Sequence, residues 1–192
     1  MTWQTVALAD VAPSPWKNGG GVTRELLALP TPAAWVFRLS VAEVQADGPF
    51  SRFEGVKRWF AVLSGAGVRL RLGDAAPIEE QVLTSASHPF CFDGARPVDC
   101  RLIDGTTQDF NLMVREDQAR ARMQRVTRPL HLQAAGVRTV AVWSGAAGAE
   151  LWVGEGRTPL PAQTLAWQEV PAGLALKVNA VEALVMEIER CP

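Results

Sequence analysis

Residues 15–26 read Pro15-Trp16-Lys17-Asn18-Gly19-Gly20-Gly21-Val22-Thr23-Arg24-Glu25-Leu26, crowding a cation, an amide, three glycines and a carboxylate into one short stretch. Glycines admit positive φ and let other groups approach the main chain, at an entropic cost that a plain connector need not bear. Lys17 and Asn18 beside such a turn are suited to grip a small anion. The competing reading is a tight turn whose polar side chains are merely solvated. A second polar set sits in apolar segments further along. Side chains alternate faces along a strand. Arg38 and Ser40 therefore oppose Trp35, Phe37, Leu39 and Val41, Arg58 shares a face with Phe60 and Val62, and Asp109 shares one with Asn111. If residues 22–27 are extended, Thr23 and Glu25 also look the same way.

Together these positions predict a barrel interior lined by Thr23, Glu25, Arg38, Ser40, Arg58, Asp109 and Asn111. Buried charges need partners, and two arrangements are open. In one, Glu25 and Asp109 neutralise Arg38 and Arg58 in a structural network. In the other, one guanidinium fork is left to receive an outside carboxylate in a bidentate pair. Arg38 with Lys17 or Arg58 would then hold the carboxylate, while Asn18, Thr23, Ser40 and Asn111 read the rest of the ligand. Glu25 or Asp109 would alternatively serve as general acid or base of a metal-independent isomerase, lyase or hydrolase. A third reading makes the polar set purely architectural and the chain an interaction module.

Several chemistries find no residues. His88 and His131 are the two histidines, far apart, and neither they nor Cys91, Cys100 and Cys191 show metal-ligand spacing. No metal and no cofactor is expected. Lys17 precedes the glycines rather than following them, so they are not a phosphate loop, and no Gly-x-Ser-x-Gly occurs. Of the seven tryptophans, Trp16 alone sits in a turn, where it would form a wall of the site or staple the turn to the barrel.

The elements that must position these groups are strands. Most apolar segments are short, alternating and punctuated by Gly, Pro, Asp or Ser, among them residues 2–8, 35–44, 58–63, 110–114 and 139–144. The fold class expected is all-β, with one short helix over residues 116–122, where Glu, Gln, Ala and Arg gather. Residues 59–67, Trp-Phe-Ala-Val-Leu-Ser-Gly-Ala-Gly, echo residues 140–148, Val-Ala-Val-Trp-Ser-Gly-Ala-Ala-Gly. Each reads as a strand entering a Gly-rich hairpin. Such a repeat puts a boundary near residues 127–133, with residues 1–126 as a first barrel holding the ligand pocket and 127–192 as a second, smaller barrel packed on it. Nineteen basic side chains balance twenty acidic ones over 192 residues, which argues against nucleic acid as a partner. The absence of a long apolar run argues against a membrane, and the three odd cysteines fit a reducing cytoplasm. A homodimer through a sheet edge or outer face is the expected assembly.

Pro-Trp-Lys-Asn-Gly-Gly-Gly with Thr-Arg-Glu-Leu at 15–26, Trp-x-x-Arg-Leu-Ser at 35–40, Asp-Gly-Pro-Phe-Ser-x-Phe-x-Gly at 47–55 and Asp-Phe-Asn-Leu-Met at 109–113 resemble the HutD/Ves family. The resemblance covers about 100 residues in order. It implies a cupin-type fold with two jelly-roll β-barrels in tandem, a bicupin, of the metal-free kind. It also implies a bacterial protein associated with histidine utilisation, with a regulatory role through binding of a breakdown product such as N-formylglutamate or urocanate. The family's polar positions map onto Trp16, Lys17, Asn18, Gly19, Gly20, Thr23, Glu25, Arg38, Ser40, Asp109 and Asn111, which coincide with the set found by alternation.

Overall fold

The computed structural model describes residues 2–73 and 78–191. Among the described residues there is no α-helix, only strands and one 3-10 turn at Leu8–Asp10. In chain order the strands are β1 (Gln4–Ala7), β2 (Ser14–Pro15), β3 (Gly21–Leu29), β4 (Phe37–Val44), β5 (Gly48–Pro49), β6 (Val56–Ser64), β7 (Val68–Leu72), β8 (Glu79–Leu83), β9 (Phe90–Asp93) and β10 (Val98–Leu102). They continue as β11 (Thr107–Arg115), β12 (Ala119–Val126), β13 (Leu130–Gln133), β14 (Arg138–Ser144), β15 (Ala149–Val153), β16 (Gly156–Leu160), β17 (Thr164–Val170), β18 (Ala175–Asn179) and β19 (Ala183–Arg190). The all-β expectation therefore holds.

The helix expected over residues 116–122 does not form. Glu116 to Gln118 make a turn, and β12 follows, paired with β19 along its whole length. Its helix-forming residues are there because Arg120, Arg122 and Gln124 are exposed between the buried Ala119, Met123 and Val126. Pairing with a neighbour overrides local propensity.

The chain divides into two compact units, Ala12–Gln118 and Met1–Val11 with Ala119–Pro192, called here the N- and C-terminal units. This corrects the boundary expected after residue 126. Pairing of β12 with β19 carries residues 119–126 into the C-terminal unit, and pairing of β1 with β17 carries the first residues there too. Each unit is a pair of sheets. In the N-terminal unit the orders are β2-β3-β4-β11-β6-β9 and β5-β10-β7-β8; in the C-terminal unit they are β1-β17-β14-β19-β12 and β13-β18-β15-β16. The run β4-β11-β6-β9 thus recurs as β12-β19-β14-β17, and β5-β10-β7-β8 recurs as β13-β18-β15-β16. The echoed segments at 59 and 140 lie on β6 and β14, which hold equivalent places.

Each unit buries its own apolar core between its sheets. Phe60, Val62, Val68, Leu70, Phe92 and Val98 fill the N-terminal one, and Val140, Val142, Leu151, Ala166, Val178 and Val185 the C-terminal one. Continuous antiparallel pairing of β3, β4, β11 and β6 makes the wall on which the polar residues stand. No helix among the described residues is long and apolar enough to cross a membrane.

Candidate functional site

The register of that wall sets the polar side chains in rows. Arg38 on β4 and Arg58 on β6 both pair with Met113 on β11. In the next row Glu25 pairs with Ser40, Ser40 with Asn111, and Asn111 with Phe60. Thr23, Ala42, Asp109 and Val62 form the row beyond. Alternation along four strands, read in sequence, therefore does bring these groups onto one face.

A cavity of about 820 Å³ opens over the first two rows and the Thr23–Ala42 end of the third, within the size range of small-molecule sites. Of the positions read from sequence, Trp16, Lys17, Asn18, Thr23, Glu25, Arg38, Ser40, Arg58 and Asn111 line it. Gly19, Gly20 and Asp109 do not. The glycines serve the turn instead. Gly19 has φ +71°, Gly20 accepts backbone bonds from Gln45 and Ala46, and a Cβ at Gly21 would overlap the Glu43 carbonyl oxygen. Asn18 caps the turn by accepting from the Gly20 N–H at 3.1 Å, and the Trp16 indole N–H donates to Thr23 Oγ1 at 2.7 Å. Trp16 is thus both a wall of the cavity and a staple of the turn.

Asp109 is fully buried, one position deeper along β11 than Asn111. Its Oδ2 accepts from the Thr107 hydroxyl at 2.7 Å, while Oδ1 has no partner. Burial pushes its carboxyl up to about 7, against the smaller lowering effect of the Thr107 bond.

The two arginines are treated differently. Arg38 Nη1 lies 3.6 Å from Glu25 Oε2, and its guanidinium also rests against Trp35, Phe53 and the Met113 sulfur. Arg58 is 6% exposed and has no carboxylate within ion-pair distance among the described residues. It donates to the Ser51 carbonyl at 3.3 Å and to Asn111 Oδ1 at 3.1 Å. Phe50, Phe53 and Phe92 surround its guanidinium carbon at 5.2, 5.8 and 5.1 Å from their ring centroids, a cation–π cage. Burial, and secondarily the like charge of Arg38, lowers Arg58 to about 10. The Nε atoms of both arginines are buried without partners. The fully paired network of Arg38 and Arg58 with Glu25 and Asp109 is accordingly only half present. Lys17 is exposed at the rim, so the lining carries Lys17, Arg38 and Arg58 against Glu25 alone.

A family model described as HutD matches residues 8–186. The chain belongs to the HutD family. Protein Ves of Cronobacter sakazakii is 33% identical over 174 residues, 90% of this chain and 91% of that one. The "uncharacterized 21.2 kDa protein in hutC 3' region" of Pseudomonas putida is 37% identical over 123 residues, 63% of each chain, so that match spans under two thirds of the relative. The solved structure of HutD from Pseudomonas fluorescens SBW25, in a formate condition, superposes with TM-score 0.85 and 30% identity over the whole of both chains. A Bacillus subtilis oxalate decarboxylase mutant superposes with TM-score 0.63 at 10% identity over 97% of this chain and 76% of that one. At that identity the likeness concerns the fold alone, and the fold of this HutD-family chain is the cupin barrel in tandem.

Sequence reading of this HutD-family chain missed Phe50, Phe53 and Met113 as parts of the site. Phe50 and Phe53 lie in the 47–55 motif that carried the resemblance, and Met113 is two residues beyond Asn111 on the same face. Both signals were available: a shared motif in the first case, simple alternation in the second.

Proposed function

We propose that this chain is a cytoplasmic small-molecule binding protein with a regulatory role in histidine catabolism, and that a short carboxylate such as N-formylglutamate or urocanate binds in the cavity of the N-terminal unit. One observation carries the reading: Arg58 is a buried cation with no carboxylate partner among the described residues, facing a cavity whose lining has an excess of two positive charges. Such a cation is costly alone and favourable once an anion shares its low-dielectric surroundings. Arg58 and Arg38 hold the carboxylate, Lys17 draws it to the rim, and Asn18, Thr23, Ser40 and Asn111 meet the polar remainder. The histidine-utilisation context comes from the HutD family and from the hutC-region relative.

The test is thermal unfolding with and without histidine, urocanate, formiminoglutamate, N-formylglutamate, glutamate and formate. A native-state ligand at a hundredfold excess over its Kd stabilises by about 2.7 kcal/mol, or roughly 5–10 °C for a chain of this size. Indifference to all six compounds would remove the chain from histidine catabolism. Acid–base catalysis is the second reading, favoured by a carboxylate, Glu25, lining the cavity beside Arg38. Since Asp109 does not line the cavity, Glu25 would have to act on the substrate, and Glu25→Gln would abolish a chelator-resistant turnover.

A further inference from the structure

Arg58 has a counterpart in the C-terminal unit. Equivalent strands β6 and β14 both run into a Ser-Gly pair, Ser64-Gly65 and Ser144-Gly145, and six residues before each serine stands an arginine, Arg58 or Arg138. Two residues after each arginine, Phe60 pairs with Asn111 on β11, and Val140 pairs with Glu187 on β19. Asn111 and Glu187 therefore occupy the same position of the repeated sheet, and so, two residues further on, do Met113 and Glu189.

The two arginines meet different partners. Arg138 Nη1 is 2.8 Å from Glu187 Oε2, and Nη2 is 3.6 Å from Glu189 Oε2, with the Arg138 side chain 12% exposed. At those two places Arg58 has the neutral amide of Asn111, to which it donates, and Met113, its register partner, whose sulfur meets Arg38. At these two places one repeat thus supplies carboxylates from its own chain, and the other, among the described residues, supplies none.

We infer that the C-terminal unit contains the same arginine-centred anion site closed by its own glutamates, and that Glu187 and Glu189 stand where an outside carboxylate lies in the N-terminal unit, over Asn111 and Met113. For the N-terminal unit this rests on the function proposed above; for the C-terminal unit it does not. The residues at the Asn111 and Met113 positions are then what decides whether a barrel of this chain is open to a small carboxylate.

The experiment uses the full chain and acetate as probe, against chloride at matched ionic strength. Substituting E187N and E189M gives Arg138 the two sheet neighbours of Arg58, and R58M in the same chain silences the first cavity. That triple variant is expected to gain a saturable rise in unfolding temperature, roughly 5 °C or more at a hundredfold excess over Kd, and further substitution of Arg138→Met should remove it. A triple variant with native circular dichroism and no response to acetate overturns the inference. Should that variant fail to fold, M113E is the second test, since it places a carboxylate beside Arg58 as Glu189 stands beside Arg138. M113E is expected to raise the unfolding temperature without ligand, and the gain should shrink when R58M is added, the remainder resting on Arg38. A loss of stability that is the same with and without Arg58 overturns the inference as well. A wild-type chain that ignores the whole ligand panel while the triple variant binds acetate would defeat the proposed function and support the inference.

Discussion

Arg38 and Arg58 stand on either side of Met113, each paired with it in register from a neighbouring strand, so two guanidinium groups face one cavity across a thioether. Strands lie about 4.8 Å apart, which sets the two Cα atoms roughly 10 Å from each other. Two forks at that spacing, with one carboxylate, Glu25 on β3, beside Arg38 on the side away from Arg58, are arranged to receive negative charge. The aromatic cage of Phe50, Phe53 and Phe92 is what makes the Arg58 cation tolerable when no anion is present.

Replacing Arg58 by methionine should leave stability within about 1 kcal/mol of wild type in urea unfolding. Breaking a buried ion pair costs about 3–5 kcal/mol because the surviving charge is stranded, and here the polar partners left behind among the described residues are neutral, the Asn111 amide and the Ser51 carbonyl. A loss of that larger size would mean that Arg58 has a hidden structural partner.

Asp109 predicts a pH dependence. Its folded value of about 7 lies above the ordinary 3.8, so the unfolded chain gives up this proton first as pH rises. Stability from this group is full below about pH 3.8 and is lost as pH rises to and through 7, by on the order of 4 kcal/mol. Asp109→Asn should flatten that decline and be the more stable protein at pH 8, with the advantage shrinking towards pH 4. Urea midpoints at several pH values would check it.

Two of the three glycines of the polar turn should respond unequally. Gly19 has positive φ with nothing near its absent Cβ, so Gly19→Ala should cost about 1 kcal/mol. A Cβ at Gly21 meets the Glu43 carbonyl of β4, and Gly21→Ala should cost several times more by separating β3 from β4. Equal losses in thermal denaturation would contradict this account of the turn.

The three free thiols should label in order. Cys100 is fully buried, and burial, followed by the charges of Asp109, Asp47 and Asp99, pushes its thiol up to about 12. Cys91 and Cys191 are partly exposed. A thiol reagent at pH 8 should therefore modify those two in the folded protein and reach Cys100 only on unfolding.

Much of the wall was legible because a strand has a period of two. That rule sufficed for Arg38, Ser40, Arg58 and Asn111 without any knowledge of partners. It says nothing of depth along a barrel, which is why Asp109, on the same face, was expected in the lining and lies beneath it. Nor does it reach Phe50 and Phe53, which stand in a connection without period. The mistaken helix at 116–122 and the misplaced boundary share one cause: β12 and β1 owe their conformation to β19 and β17, strands far away in the sequence.

Because β1 pairs with β17, the N-terminal unit is an insertion within the chain of the other. On the ribosome, Ala12–Gln118 has every strand it needs once Gln118 has emerged. Gln4–Ala7, translated before that unit, must wait for Thr164–Val170, translated after it. In that interval it is an unpaired β segment, open to capture by another nascent chain. Vectorial synthesis thus gives the two barrels unequal folding risks, and the ligand-facing barrel has the smaller one.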